Sequence, residues 1–359
     1  MAKPLVIDGS HGEGGGQILR TSLSLSAISG QPIRIENARA GRGNPGLAAQ
    51  HLTTVRAVAA LCAAKVEGDH LGSQTIKFEP QKLPQPGHYC FDVMEARQGG
   101  SAGAVTPIVQ TVLLPLALAA GASTVAVRGG THIAWSPPFD YARQVWLPML
   151  EQIGVQATLE LHQTGWYPVG QGEVQATIQG LGPHWQQQLS PLTLYERGKL
   201  QAVEGQALAA NLPAHIPQRM VDRARTLLAE AGLPAQLVPK RLRAACPGTG
   251  LFLTAKYEHS YAGFSSMGAI GKASELVAEE AISTLLAHYH SGAALEEHLA
   301  DQLLLPLALV DGQSQFSVER ISRHLTTNAW VLEQFGLAHV QISSSEGQSG
   351  TVTLQGQKF

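Results

Sequence analysis

The chain has 359 residues, with 25 Lys and Arg against 27 Asp and Glu and a formal net charge of −2 at pH 7. Charged residues make up 14% and hydrophobic residues 44%, which excludes a disordered chain. It also excludes a broadly basic nucleic-acid binder, so any nucleic-acid site must be a local cluster of Arg and Lys.

In chain order, four glycines around Glu13 precede a helix predicted over residues 17–29. A strand follows at 32–35, then a Gly-rich loop, a helix within 46–64 and a strand at 64–67. The stretch 98–127 carries no charge and holds an apolar segment, 105–122, interrupted by Pro107, Gln110 and Pro115. These interruptions favour a buried helix, at 106–119, over a membrane span. A strand at 123–127 leads through a loop ending in Ser136-Pro137-Pro138 to a helix at 139–153, which Gly154 stops. Strands are predicted at 155–161, 192–195, 202–205 and 250–257, with a helix at 216–231. The last elements are a helix at 295–310, a strand at 315–318, a helix at 325–335 and a strand at 338–342. Cys62, Cys90 and Cys246 lack C-x-x-C spacing, so neither a zinc site nor a disulfide framework is indicated. The first residues hold no apolar h-region, and the cytoplasm is the expected compartment.

The order helix, strand, loop, helix, strand occurs three times. From Ile33 to Val125 is 92 residues, but from Val125 to Phe316 is 191. An insertion about the size of a small domain therefore separates the second and third copies. The expected organisation is an α/β (α+β) fold of three similar units over 1–182 and 272–359, with an inserted α/β domain at 183–271.

Four stretches could carry chemistry. In Gly12-Glu13-Gly14-Gly15-Gly16-Gln17-Ile18-Leu19-Arg20, glycines let backbone N–H groups approach an oxyanion at a helix N-terminus. Arg20 could pair with that anion, and Glu13 could hold a divalent cation bridging phosphates. In Arg39-Ala40-Gly41-Arg42, two arginines on a Gly-rich loop suit phosphate, with Gln50 and His51 on the next helix. His324 lies beside Arg323 near a helix start, a setting that keeps an imidazole neutral and nucleophilic. Asp301 is a candidate acceptor for a base or ribose. Aromatic residues are sparse, at 6%, so an aromatic stacking platform for single strands is not indicated.

Taken together the motifs resemble the RNA 3′-terminal phosphate cyclase family. Ile7-Asp8-Gly9 with the glycine run to Arg20 is similar to its opening motif. Also similar are Arg39-Ala40-Gly41-Arg42 with Pro45-Gly46-Leu47, Gln50-His51-Leu52, Leu71-Gly72-Ser73-Gln74 and Gly100-Ser101-Ala102-Gly103 with Gln110-Thr111. Leu299-Ala300-Asp301-Gln302 and His324-Leu325 with Thr327-Asn328 complete the set, in order and across nearly the whole chain. The resemblance implies three units, each a four-stranded sheet with two helices, and a smaller inserted domain. It implies ATP-dependent conversion of an RNA 3′-phosphate to a 2′,3′-cyclic phosphate in three steps: adenylylation of a histidine, transfer of AMP to the RNA 3′-phosphate, and attack by the 2′-hydroxyl. His324 matches the nucleophile, and Arg20, Arg39 and Arg42 the phosphate-neutralising cations. Gln50 and His51 join Arg39 and Arg42 at the RNA phosphate. Glu13 matches the residue that places a divalent cation, Mg or Mn, and Gln110, Pro137, His298, Asp301 and Gln302 fall at the adenosine. RNA 3′-phosphate ends are the implied partner, with no membrane, and a homodimer is left open.

The chain departs from the family pattern at three places. His298 stands where Tyr is frequent, Thr164 where Arg or His is usual, and Gln171 where Gly is usual. These departures motivate an alternative, an RNA-binding scaffold of the same fold without turnover, of the ribosome-assembly type. A carboxyvinyl transferase of related architecture is a third reading.

Overall fold

The computed structural model describes residues 3–96 and 101–356, so Gly100 of the Gly100-Ser101-Ala102-Gly103 motif lies outside the described residues. In the first unit β1 (Leu5–Asp8), α1 (Gly16–Ser29), β2 (Ile33–Glu36), α2 (Ala49–Cys62), β3 (Lys65–Glu67) and β4 (Ile76–Glu79) follow one another. The strands lie in the order β1-β2-β4-β3, the first pair parallel and the others antiparallel. The second unit repeats this with β5 (His88–Asp92), α3 (Thr106–Ala117), β6 (Ser123–Gly129), a second helical stretch, β7 (Ala157–Gln163) and β8 (Gly172–Ile178), in the order β5-β6-β8-β7. That helical stretch is α4 (Phe139–Tyr141), a π turn over Ala142–Trp146 and α5 (Leu147–Ile153), which Gly154 ends at φ 108°.

The third unit begins with β9 (Thr193–Leu194) and is then interrupted. The inserted module comprises β10 (Leu200–Ala210), α6 (His215–Glu230), β11 (Ala235–Leu242), β12 (Gly248–Tyr257), β13 (Tyr261–Met267) and α7 (Ser274–Ser291). Its sheet runs β11-β10-β12-β13. The third unit resumes with α8 (Glu297–Ala308), β14 (Gly312–Val318), α9 (Arg323–Gln334), β15 (Ala338–Ile342) and β16 (Gly350–Gly356), giving β9-β14-β16-β15. The molecule is thus an α/β protein of three like units and one inserted α/β module.

Two details differ from the sequence reading. The strand around Leu192–Tyr195, assigned there to the insertion, pairs in parallel with β14 through Thr193↔Gln315 and Leu194↔Phe316. Each unit needs a leading strand beside its second strand, and β9 supplies the third one. The insertion therefore enters after a unit's first strand rather than between units. Further along, α7 packs on β12 and β13, and Val277, Ile282 and Leu285 join Val203, Val221 and Leu251 in the module's own core.

The main core is formed by the helices of all three units, with Leu23, Val58, Leu113, Leu303 and Leu332 fully shielded. Every residue of α3 except Gln110 is buried. An all-round apolar helix belongs inside a core, and no described helix is long and apolar enough to cross a membrane. Gln110 is thus the one position of α3 that is only half-buried. A smaller cluster of Trp166, Leu208, Cys246 and Phe252 joins the second unit to the inserted module.

The loop after β2 depends on Gly46, which has φ 80°. Its N–H donates to the Ala38 carbonyl at 2.8 Å, and a Cβ there would collide with the Gly72 carbonyl. Gly46→Ala is expected to destabilise the fold by at least about 1–2 kcal/mol from backbone conformation alone. A lower urea midpoint at unchanged m-value checks it.

Candidate active site

The site lies where α1 of the first unit packs on α9 of the third. The turn between β1 and α1 is shaped by Gly12 and Gly14, with φ of 56° and 59°. A side chain on Gly12 would collide with the Thr327 hydroxyl, so glycine allows the turn to press on α9. There the Glu13 N–H donates to Thr327 Oγ1 at 3.2 Å. Ser322 caps α9, its hydroxyl accepting from the Leu325 N–H at 3.1 Å, and this fixes the first turn that carries His324.

His324 Nδ1 stands 2.9 Å from Glu13 Oε2. That buried oxygen receives no aligned hydrogen bond, while Arg42 holds Oε1 of the same carboxylate. Burial lowers the pKa of His324; the Asp301 charge opposes this, and Arg20 and Arg42 add to it. The imidazole is therefore neutral at pH 7. Burial also raises Asp301 to about 6, against the attraction of His324 and His298. Burial lowers Arg20 to about 10, again with Asp301 opposing. His51 is buried and pushed well below its ordinary pKa by burial and by Arg39, Arg20 and Arg42. Glu13, Arg20, Arg42, His51, Asp301 and His324 therefore share one electrostatic neighbourhood.

The remaining candidates are placed more variously. Gln110 Nε2 donates to Gln302 Oε1 at 2.6 Å, joining two residues expected at the adenosine. His298 is largely exposed at the head of α8, its N–H donating to Glu296 Oε2 at 2.7 Å. Pro137 is half-buried just before α4, where the Tyr141 hydroxyl donates to Glu296 Oε1. Arg39 turns back on its own loop, its Nη1 donating to the carbonyls of Asn44 at 3.2 Å and Gly46 at 2.5 Å. Gln50 Oε1 accepts from the Ala104 N–H at 2.9 Å and so clamps the loop before α3. Of the departures, Thr164 is buried, and Gln171 has φ 57°, a conformation that favours the glycine usual there.

Asn328 is the residue sequence reasoning passed over. Its Oδ1 accepts from Thr21 Oγ1 at 2.7 Å and Gln17 Nε2 at 3.1 Å, and its Nδ2 donates to the Asp301 carbonyl at 3.1 Å. It ties α1, α8 and α9 together beneath His324. Its signal was its place one turn after His324 in the quoted motif.

The comparisons with known proteins follow this geometry. The sequence profile described as RNA 3′-terminal phosphate cyclase matches residues 11–342. The chain belongs to the RNA 3′-terminal phosphate cyclase family. It is 59% identical over 352 residues to the RNA 3′-terminal phosphate cyclase of Methylococcus capsulatus strain Bath, covering 98% of this chain and 96% of the relative. The Gloeothece citriformis cyclase is 53% identical over 94% of this chain and 95% of its own length. The Methanopyrus kandleri cyclase is 40% identical, over 97% and 98%. Among solved structures, the enolpyruvyl transferase NikO of Streptomyces tendae overlaps 62% of this chain and 38% of its own at 15% identity and TM-score 0.25, too low to carry an argument.

In this member of the cyclase family the donor set for a divalent cation is small. Among the described residues no group of three His, Cys, Asp or Glu could hold a metal. Glu13 still offers a buried carboxylate oxygen that no hydrogen bond satisfies. One such oxygen suits Mg, which is commonly bound by one or two carboxylates with substrate phosphates completing the sphere.

Proposed function

We propose that this chain is an ATP-dependent RNA 3′-terminal phosphate cyclase working through a histidine adenylate, in the cytoplasm. The observation that carries the reading is His324: a half-buried, neutral imidazole on a capped helix start, with Nδ1 at the Glu13 carboxylate. In its neutral form the ring keeps a nitrogen lone pair free to attack.

In the first step His324 Nε2 bonds to the α-phosphorus of ATP and pyrophosphate departs. Gln110, Pro137, His298, Asp301 and Gln302 flank the nucleotide. Arg20 and Arg42 neutralise the charge that develops on the phosphate oxygens. In the second step an oxygen of the RNA 3′-phosphate displaces the imidazole from the AMP phosphorus, restoring neutral His324. In the third, the 2′-hydroxyl attacks the 3′-phosphorus, loses its proton and expels AMP, closing the cyclic ester. Glu13 would hold Mg or Mn, which when bound supplies charge neutralisation on the phosphate oxygens. Arg39 and Gln50 support this site by closing the loops that carry Arg42 and Ala104, and His51 lines the same pocket as a neutral ring.

The test is ATP-dependent conversion of a 3′-phosphate RNA to a phosphatase-resistant end. Absence of conversion by folded protein, with no AMP transfer, would favour the scaffold reading. Arg42→Ala is expected to lower use of the RNA 3′-phosphate about tenfold or more while slowing self-adenylylation less. Arg39→Ala should act on both steps together, since its guanidinium shapes the loop. Single-turnover rates for each step separate the two outcomes.

A further inference from the structure

The site described above lies in the three repeated units and leaves the inserted module without a task. The end of β11 and its next residue carry Lys240-Arg241-Leu242-Arg243, three cations in four residues in a chain of net charge −2. All three are exposed, and β11 is an edge strand of its sheet. Elsewhere in the module Arg219, Arg223 and Lys256 are neutralised by Glu275, Glu279 and Glu204. Arg241 donates from Nε to the Leu212 carbonyl at 3.1 Å. Among the described residues the side chains of Lys240 and Arg243 have no ion-pair or hydrogen-bond partner. The positive charge of this edge is therefore unspent.

The edge runs back toward the repeated units. Just past it, Cys246 Sγ approaches the carbonyls of Trp166 and Tyr167 at 3.3 and 3.6 Å. The Trp166 ring stacks on His132 at 4.9 Å, and the N–H groups of Thr131 and His132 both donate to the Gly165 carbonyl. Two aromatic rings stand open on these joined loops: Tyr167 is 75% exposed and Trp135 103%. Trp135 also holds φ 64°, a conformation costing about 1–2 kcal/mol, with no burial of its ring to offset it. It lies two residues before Pro137, on the loop that leads to Tyr141 and the head of α8.

We propose that this seam binds the single-stranded RNA upstream of the reacting 3′ end. Lys240, Arg241 and Arg243 take backbone phosphates, and Tyr167 and Trp135 stack unpaired bases. A positive edge with open rings is the chemistry of single-strand binding, whereas a duplex keeps its bases stacked inside. The proposal rests on the RNA-end reading of the site.

The test compares the full chain with K240A/R241A/R243A and with Tyr167→Ala, on a 3′-phosphorylated single strand of about 20 nucleotides and on a dinucleotide 3′-phosphate. The long strand should bind the triple variant about tenfold more weakly, with a salt slope shallower by about 2, since each phosphate contact on single strands contributes about 0.7. Tyr167→Ala should weaken the long strand with the slope unchanged. Adenylylation by ATP alone and cyclisation of the dinucleotide should be unaffected in both variants, as should the melting temperature. Equal affinity and slope in wild type and triple variant would overturn the proposal. So would an equal loss on long strand and dinucleotide, which would place the cations at the reacting end. A wild-type protein that cyclises neither the long strand nor the dinucleotide would instead sink the functional reading, with the long-strand salt slope still deciding the seam.

Discussion

Replacing His324 with alanine is expected to abolish transfer of label from α-labelled ATP to the protein and to lower cyclisation at least about 10³-fold. The imidazole is the atom-donating group of the first step, and neither Glu13 nor His51 can replace it. The Glu13 carboxylate is held by Arg42 and faces His324. The His51 ring is buried among Arg20, Arg39 and Arg42. Loss of a nucleophile removes a whole pathway rather than one interaction, so the residual rate reports only binding and charge neutralisation. The fold should survive. The His324 side chain is 37% exposed, and the cap of α9 is made by Ser322. A melting temperature within a few degrees of wild type, with no trapped label, is the expected pair of results. Full cyclisation by the variant would remove His324 from the mechanism.

Much of this arrangement is legible in the sequence because local patterns set it. Helices such as α2 and α9 show apolar spacing, and Gly154 and Gly336 mark stops by requiring left-handed backbone. What is not legible depends on pairing at a distance. Thr193-Leu194 is two residues long, and only its register with Gln315 and Phe316 assigns it to the third unit. The spacing between repeated strands measures the insertion's size but not which side of α7 its boundary falls on, because that depends on which core Val277 and Leu285 enter. The same holds in the site. Spacing suggests that Arg39 and Arg42 face one phosphate, yet Arg39 closes on the carbonyls of Asn44 and Gly46 while Arg42 reaches Glu13. Arg39 itself sits in a left-handed turn, φ 57°, which no residue type announces. Asn328 is similarly silent: its bonds to Thr21 and Gln17 span more than 300 positions.

Asp301→Asn is expected to stabilise the fold while impairing the reaction. Burial raises the wild-type carboxyl from 3.8 to about 6. A group with a raised folded pKa favours folding below its unfolded pKa, and that advantage is lost as pH rises through the folded value. At pH 7 the buried, ionised Asp301 therefore costs stability, on the order of 2–3 kcal/mol for a shift of about two units. Asparagine keeps the shape and cannot ionise. The variant should gain that amount at pH 7 and little near pH 4, so the difference in urea midpoint should grow between about pH 4 and 6. The same substitution removes the charge that raises His324 and Arg20. The acid limb of the adenylylation profile should move to lower pH, because His324 then loses its proton more readily. Adenylylation should still slow, by about 10²-fold, since one of the two carboxylate oxygens expected to accept from the nucleotide becomes an NH2 donor and the charge is lost. Stabilisation with lost activity is the signature of a carboxylate kept for chemistry rather than for folding. Equal stability changes at pH 4 and pH 7 would show that Asp301 is not held ionised against its surroundings, and the link to His324 would fall with it.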